Sequence, residues 1–251
     1  VSSADLLLVA VVALAAGTLN SVAGGGSLIL FPVLVALGLG TVAANVTNSV
    51  AQWPSYVGGV LGFRGEYTGQ RRRLVRFGAI ALLGGTTGCV LLLTTPSAAF
   101  DVVVPVLVVL ASLLVAGQPL LTRRLGTAGR NGAVRDPAWL YAALFLAPVY
   151  GGYFGGALGV VLVGILGIGL HDLRLANALK PAVSTATATA TLVVFGIWGP
   201  VDWAAVAVAA PASLLGGFLG ARVARRIPTT PLRIAIAVFG VSVAVLLVVH
   251  Y

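Results

Sequence analysis

Charge is scarce in this sequence. Only 8% of its 251 residues are Asp, Glu, Lys or Arg, against about 25% in a soluble domain. With 59% apolar residues and a mean hydropathy of +1.07, a purely soluble protein is excluded. Methionine is absent, so the start residue is expected to have been removed or to lie outside this sequence. Cysteine occurs once, at Cys89, so no disulfide can form within the chain. It sits among small residues in an apolar segment and reads as a packing group. Glu66, Asp101, Asp136, Asp172 and Asp202 fall in loops or near segment ends, as do His171 and His250. No acid is therefore placed mid-membrane for a conventional proton relay. No cluster has metal-ligand spacing, and no serine and histidine are placed together for nucleophilic catalysis inside a membrane. The sequence calls for no cofactor, no metal and no enzymatic role.

What remains is a series of long apolar segments. They span residues 5–38, 43–63, 74–94, 100–121, 138–170, 174–198, 203–224 and 230–250, separated by short connections and one longer linker at 122–137. The first segment is too long, and too poor in basic residues before it, to read as a cleaved signal peptide. Two segments carry internal breaks. Gly24, Gly25 and Gly26 interrupt the first, and Gly151, Gly152, Gly155, Gly156 and Gly159 interrupt the fifth. Non-helical backbone survives at membrane depth only when buried in protein or lining a cavity. Paired interrupted segments in corresponding halves point to a transport site.

The net charge is +9, and arginine supplies 14 of the 15 basic residues. They are divided among short loops, which argues for membrane topology and against nucleic-acid binding. If each broken segment enters and leaves on one face as a pair of short helices, the connections near 64–76, 122–136, 171–180 and 222–233 share a side. Those connections hold every Arg and Lys180. The positive-inside rule then makes that side cytoplasmic and both chain ends non-cytoplasmic. The run Arg71–Arg73 reads as an anchor beside anionic lipid.

The two halves resemble each other at an offset of 132. Leu82-Leu83-Gly84-Gly85 recurs as Leu214-Leu215-Gly216-Gly217, Ala44-Asn45 as Ala176-Asn177, Pro96 as Pro228 and Gly24 as Gly156. Each half makes three net crossings, an odd number, so the second lies upside down relative to the first. The expected fold is an all-α polytopic membrane protein of two inverted-topology repeats, 1–121 and 138–251. Each repeat is a broken, re-entrant helix hairpin plus three transmembrane helices.

Helices that begin at the glycine breaks would aim N–H groups and positive dipole ends at the bilayer centre, which favours an anion. Asn20, Ser21 and Ser27 flank the first break, and Tyr150 and Tyr153 flank the second. In segment 43–63, Asn45, Asn48, Ser49 and Gln52 share one helix face, whereas Thr47 lies off it and reads as structural. In segment 174–198, Asn177, Lys180, Ser184, Thr187 and Thr191 fall mostly on one face. Amides and an ammonium deep in a span are costly unless they meet partners, water or solute. Lys180 precedes Pro181 near one end of its segment, so it either contacts solute or snorkels to the headgroups. Gly84-x-x-x-Gly88 and Gly216-x-x-x-Gly220 read as helix-packing faces. Trp53, Trp198 and Trp203 read as interface anchors.

Asn20-Ser21-Val22-Ala23-Gly24-Gly25-Gly26-Ser27, then Phe31-Pro32 and Ala43-Ala44-Asn45-Val46-Thr47-Asn48, resemble the TauE/SafE family of sulfite exporters and toluene-sulfonate uptake permeases. Ala176-Asn177-Ala178-Leu179-Lys180, Phe195 to Trp203 and Gly216 to Arg226 are similar to its second half. Ala157-Leu158 stands where a fuller glycine run is usual, and Gly164 stands where a second proline is expected. The resemblance implies a bacterial inner-membrane carrier of sulfite, sulfonates or sulfoacetate. Its expected site comprises Asn20, Ser21, Gly24, Gly25, Gly26, Ser27, Asn45, Asn48 and Gln52 from one half. Gly155, Gly156, Asn177, Lys180, Ser184 and Thr187 come from the other. The expected partners are a small anionic substrate and the lipid bilayer, with a homodimer left open. Rival readings are an anion channel using the same site and a non-transporting membrane subunit.

Overall fold

A computed structural model describes residues 3–22, 24–126 and 136–223, together with Val238 and Ser242. Apart from Val238 and Ser242, the expected segment 230–250 lies outside the described residues, as do most of the linker and Pro228. Among those described there are nine α-helices and no strand. In order they are α1 (Ser3–Val22), α2 (Ser27–Ala36), α3 (Thr41–Gly62), α4 (Arg71–Thr94), α5 (Ser97–Gly126), α6 (Ala138–Tyr153), α7 (Leu158–Leu170), α8 (Leu173–Trp198) and α9 (Trp203–Val223). A 3₁₀ turn, Arg64–Glu66, follows α3.

Five helices are long and apolar enough to cross a membrane: α1, α4, α5, α8 and α9. A helix rises 1.5 Å per residue, so α2, with 10 residues, and α7, with 13, fall short of a hydrocarbon core of about 30 Å. α3 has the length, but its amides and hydroxyls dilute its hydropathy. Packing pays for that polarity: Asn45, Thr47, Asn48, Gln52 and Ser55 are all buried.

Both expected breaks are present, and each stops its helix by the same local geometry. Gly24 takes φ +80 and Gly155 φ +77, a left-handed conformation open to glycine at little cost. The Gly24 N–H donates to Leu19 O (2.8 Å), and the Gly155 N–H donates to Tyr150 O (3.3 Å). These matched bonds put Gly24 opposite Gly155, an offset of 131. The starts of α3 and α8, and of α4 and α9, keep 132. The pairing of Gly24 with Gly156 read from sequence is therefore off by one residue, because the second half gains a residue between its break and α8.

The packing partners are exchanged between halves. α1 lies along α9 and α6 along α4, while α3 and α8 pack on each other and on α9 and α4 respectively. Lipid tails are as apolar as leucine, so helix association here depends on close backbone approach. The Gly-x-x-x-Gly faces supply it. A Cβ on Gly88 would sit 2.0 Å from Val149 O of α6, and one on Gly216 would sit 2.0 Å from Leu14 O of α1. Gly88→Ala and Gly216→Ala should each destabilise the protein by about 1–3 kcal/mol through overpacking. Gly117→Ala on α5, with nothing within 4 Å, should not. Thermal unfolding in detergent compares the three, and equal melting temperatures would remove the packing role.

Two apolar clusters flank the breaks. One joins Phe31 of α2 to Phe154 of the second break, edge to face at 5.7 Å, with Phe100, Leu92 and Phe195 around them. The other gathers Phe77, Leu140, Leu144, Leu162, Leu166 and Leu179. Cys89 is fully buried in the first cluster, as its neighbours suggested. At the arginine-rich end, Arg73 forms a two-pronged ion pair with Asp136 (2.7 Å), which ties α4 to the segment entering α6. Beside the 3₁₀ turn, burial and the adjacent Glu66 charge push the Tyr67 phenol well above its ordinary range. Trp198 and Trp203 are largely exposed, as interface anchors would be. Trp53 is not: its indole N–H donates to Thr189 Oγ1 of α8 at 3.0 Å.

Candidate functional site

The first residues of α2 and α7, Ser27 and Leu158, line one cavity. The N-termini of both broken-segment helices thus face the same space, where the helix dipole favours negative charge. Gln52 and Tyr56 of α3, Gly155 of the second break, and Ser184 and Thr187 of α8 complete much of its wall. Its free volume is about 20 Å³, room for about one water molecule. A second cavity of about 10 Å³ lies between Asn20 and Ser21 of α1, Gly159 of α7 and Lys180 of α8. Tyr56 and Ser184 line both cavities.

The breaks themselves meet here. A Cβ on Gly24 would sit 2.8 Å from the Gly159 Cα, so the two interrupted backbones touch. Lys180 is 5% exposed and does not snorkel outward. Its Nζ donates to Ser21 O at 3.5 Å, and its stem passes Gly159. The α8 helix places it there by a start that is local in origin: the Asp172 carboxylate accepts from the N–H groups of Arg174 and Leu175.

A connected set of amides lies beside the first break. The Gly26 N–H donates to Asn20 Oδ1 at 2.9 Å. Asn20 Nδ2 donates to Gln52 Oε1 and, at 3.3 Å, to Ser55 Oγ. Gln52 Nε2 donates to Asn48 Oδ1 and, at 3.2 Å, to Ser27 Oγ. Three sequence-distant elements thereby share one polar core, the arrangement that buried amides need to offset desolvation.

Not every residue singled out by sequence faces this core. Asn45 Nδ2 donates to Tyr153 O at 2.9 Å, which braces α3 against the second break. Asn177 Nδ2 donates to Leu173 O of its own helix at 2.8 Å and lines neither cavity. The Ser21 hydroxyl donates to Gly217 O of α9. Gly25 O accepts from the Leu28 N–H at the start of α2. Gly156 O accepts from the Tyr150 hydroxyl at 2.6 Å, so Gly156 holds the break together from within. The Thr187 hydroxyl donates to Val183 O, as Thr191 does to Ala188 O, so both hydroxyl protons are used within α8. Thr47 is structural, as expected: its hydroxyl accepts from the Asp202 N–H at 2.9 Å. Tyr56 is the residue sequence reading passed over. Its phenol interacts with Ser27 and Asn20, and its signal was its place four residues after Gln52 on the polar face of α3.

Interrupted helices meeting at buried donors, inside a bundle of membrane-length helices, define a multi-pass membrane protein of the transporter class. The comparisons agree. The family model for sulfite exporter TauE/SafE matches residues 9–247, and the chain belongs to that family. It is 27% identical over 226 residues to the probable membrane transporter protein YfcA of Escherichia coli strain K12, covering 86% of this chain and 78% of the relative. The YfcA proteins of strains CFT073 and O157:H7 match with the same figures.

Proposed function

We infer that this membrane transporter is a secondary carrier, not an enzyme, for a small sulfur-containing or organic anion of the sulfite, sulfonate or sulfoacetate type. It works by alternating access in the inner membrane of a bacterium, with both chain ends non-cytoplasmic. The observation that carries this reading is the shared cavity: α2 and α7 both begin on it, so two positive helix ends converge on one buried space, with Lys180 lining the adjoining cavity. Such a locus suits an oxyanion, whose several acceptor oxygens can meet neutral donors at once.

The exchange of packing partners, α1 with α9 and α6 with α4, supports two inverted repeats, 1–121 and 138–251, joined by the linker 122–137. With room for about one water, the central cavity in this conformation is too small for a sulfonate. Rocking of the halves about the touching breaks, Gly24 and Gly159, would enlarge it from alternate sides.

A thermal-shift screen of the purified protein against sulfite, methanesulfonate, sulfate and acetate tests the substrate class. Sulfur oxyanions should raise the melting temperature most, and a flat response to all four would defeat the reading. Reconstituted vesicles test the mode of transport. Anion placed on the far side should accelerate flux, and flux that ignores it would indicate a channel.

A further inference from the structure

A cavity of about 480 Å³ opens at the arginine-rich end of the bundle, between the start of α4 and the start of α6. It shares no lining residue with the two small cavities at the breaks. Its volume is in the range of about 300–1,000 Å³ in which proteins hold ligands. Gln70, Arg72, Arg73 and Arg76 line it from α4, and Asp136 and Tyr141 from the α6 side. Arg73 is engaged: Nε and Nη2 donate to Asp136 Oδ1, and Nη1 donates to Gln70 Oε1 at 3.2 Å. That ion pair is neutral overall. Arg72 and Arg76 are exposed and have no hydrogen-bond or ion-pair partner among the described residues. The cavity therefore carries two uncompensated positive charges.

This arrangement is unfavourable without an anion. α4 begins Arg71-Arg72-Arg73, with no acid in its first turn and no side-chain cap. Cations there oppose the positive end of the helix dipole. Arg72 and Arg76 also stand one turn apart, where like charges repel. Phosphate oxygens would relieve both, and the guanidinium fork matches phosphate geometry. The rest of the same helix face says what kind of phosphate. Arg72, Arg76, Ala79, Leu83 and Val90 share one face of α4, and all are exposed. Leu83 lies about 10 Å beyond Arg76 along the axis, within one leaflet of a hydrocarbon core of about 30 Å. The second residue of α6, Trp139, is exposed, and tryptophan is enriched at headgroup level. A cationic cavity thus continues into an apolar track of acyl-chain depth.

We propose that this cavity binds the headgroup of an anionic phospholipid, with one phosphodiester for each of Arg72 and Arg76 and the acyl chains laid along Ala79, Leu83 and Val90. Two phosphodiesters in one headgroup favour cardiolipin over phosphatidylglycerol, which brings one; basic pockets between membrane helices suit such headgroups. The site is narrower than a general attraction of basic residues for an anionic surface, because Arg71 lies outside the cavity. It is also independent of the anion-carrier reading. The lipid would touch α4 in the first half and the start of α6 in the second, beside the Arg73–Asp136 pair, so its binding should stabilise their junction.

Delipidated protein in a neutral detergent is titrated with cardiolipin, phosphatidylglycerol, phosphatidylcholine or inorganic phosphate, and its melting temperature is followed. Cardiolipin should raise it saturably and at lower concentration than phosphatidylglycerol, whereas phosphatidylcholine and inorganic phosphate should leave it unchanged. Arg72→Gln/Arg76→Gln should raise the half-saturating cardiolipin concentration about tenfold or more, the range for bonds to a charged group. Arg64→Gln/Arg71→Gln removes the same charge from the same end of the bundle, at residues that do not line the cavity, and should titrate as wild type. Arg72→Gln and Arg76→Gln singly decide the question if the double variant fails to fold. Equal losses in the two double variants would show a diffuse charge effect and overturn the site. A full shift from inorganic phosphate would overturn the lipid assignment, and equal half-points for the two anionic lipids would overturn the pairing of two phosphodiesters with two arginines. No response to cardiolipin would overturn the whole proposal.

Discussion

Lys180→Met should lose the thermal shift that sulfite or a sulfonate gives the wild-type protein. Lys180 is the single lysine, it is 5% exposed, and its ammonium reaches Ser21 O at the junction of the two breaks. An anion entering between α2 and α7 would meet this as the one full positive charge among the residues lining the two cavities. A hydrogen bond to a charged group contributes about 1.5–3 kcal/mol, so affinity should fall by about tenfold or more. Methionine keeps the apolar stem and most of the volume. The unliganded variant should therefore melt within about 4 °C of wild type, the shift about 1 kcal/mol gives a domain of this size. Lys180→Arg should not rescue binding, because its planar, larger head has to pass Gly159, where an added Cβ would lie 3.5 Å from the present stem. A full shift retained by Lys180→Met would show that the anion is held elsewhere.

The second large effect belongs to Gly24→Ala. Two costs combine at this position. The backbone is left-handed at φ +80, which for a residue with a Cβ costs about 1–2 kcal/mol. The added Cβ would also lie 2.8 Å from the Gly159 Cα, and a backbone atom cannot swing aside. Forcing the breaks apart adds about 1–3 kcal/mol of overpacking. Gly38→Ala isolates the first cost, because Gly38 has φ +94 and nothing within 4 Å. Unfolding in detergent should rank wild type above Gly38→Ala and Gly38→Ala above Gly24→Ala. Transport should be lost in Gly24→Ala and kept in Gly38→Ala. Equal stability of the two variants would mean that the breaks do not bear on each other.

These predictions draw on the sequence and the structure in different measure. The glycine breaks, the polar face of α3 and the buried position of Ser184 follow from spacing, because hydropathy and helical period are local properties of a chain. Asn177 shows where that method ends. It shares a periodic face with Lys180, yet a carbonyl one turn back satisfies it. Periodicity says which residues are neighbours on a helix and does not say which neighbour a short amide prefers. Tyr56 makes the complementary point. Its spacing from Gln52 was visible, but a tyrosine in an apolar segment has many uses, and only the packing of α8 opposite α3 makes it part of the wall of both cavities.

By itself the amino-acid order determined a multi-pass helical membrane protein, interrupted twice by glycines and related to the TauE/SafE carriers. Those features rest on composition, segment length and steric freedom at single residues. Tertiary structure alone decided that the interruptions touch, that they align at an offset of 131, and that Asn20 reaches an amide 32 residues away. It also decided which end of each amide points inward. The physical reason is that hydrogen-bond sense is set by the partner across a contact, and that partner is fixed only once the helices have packed.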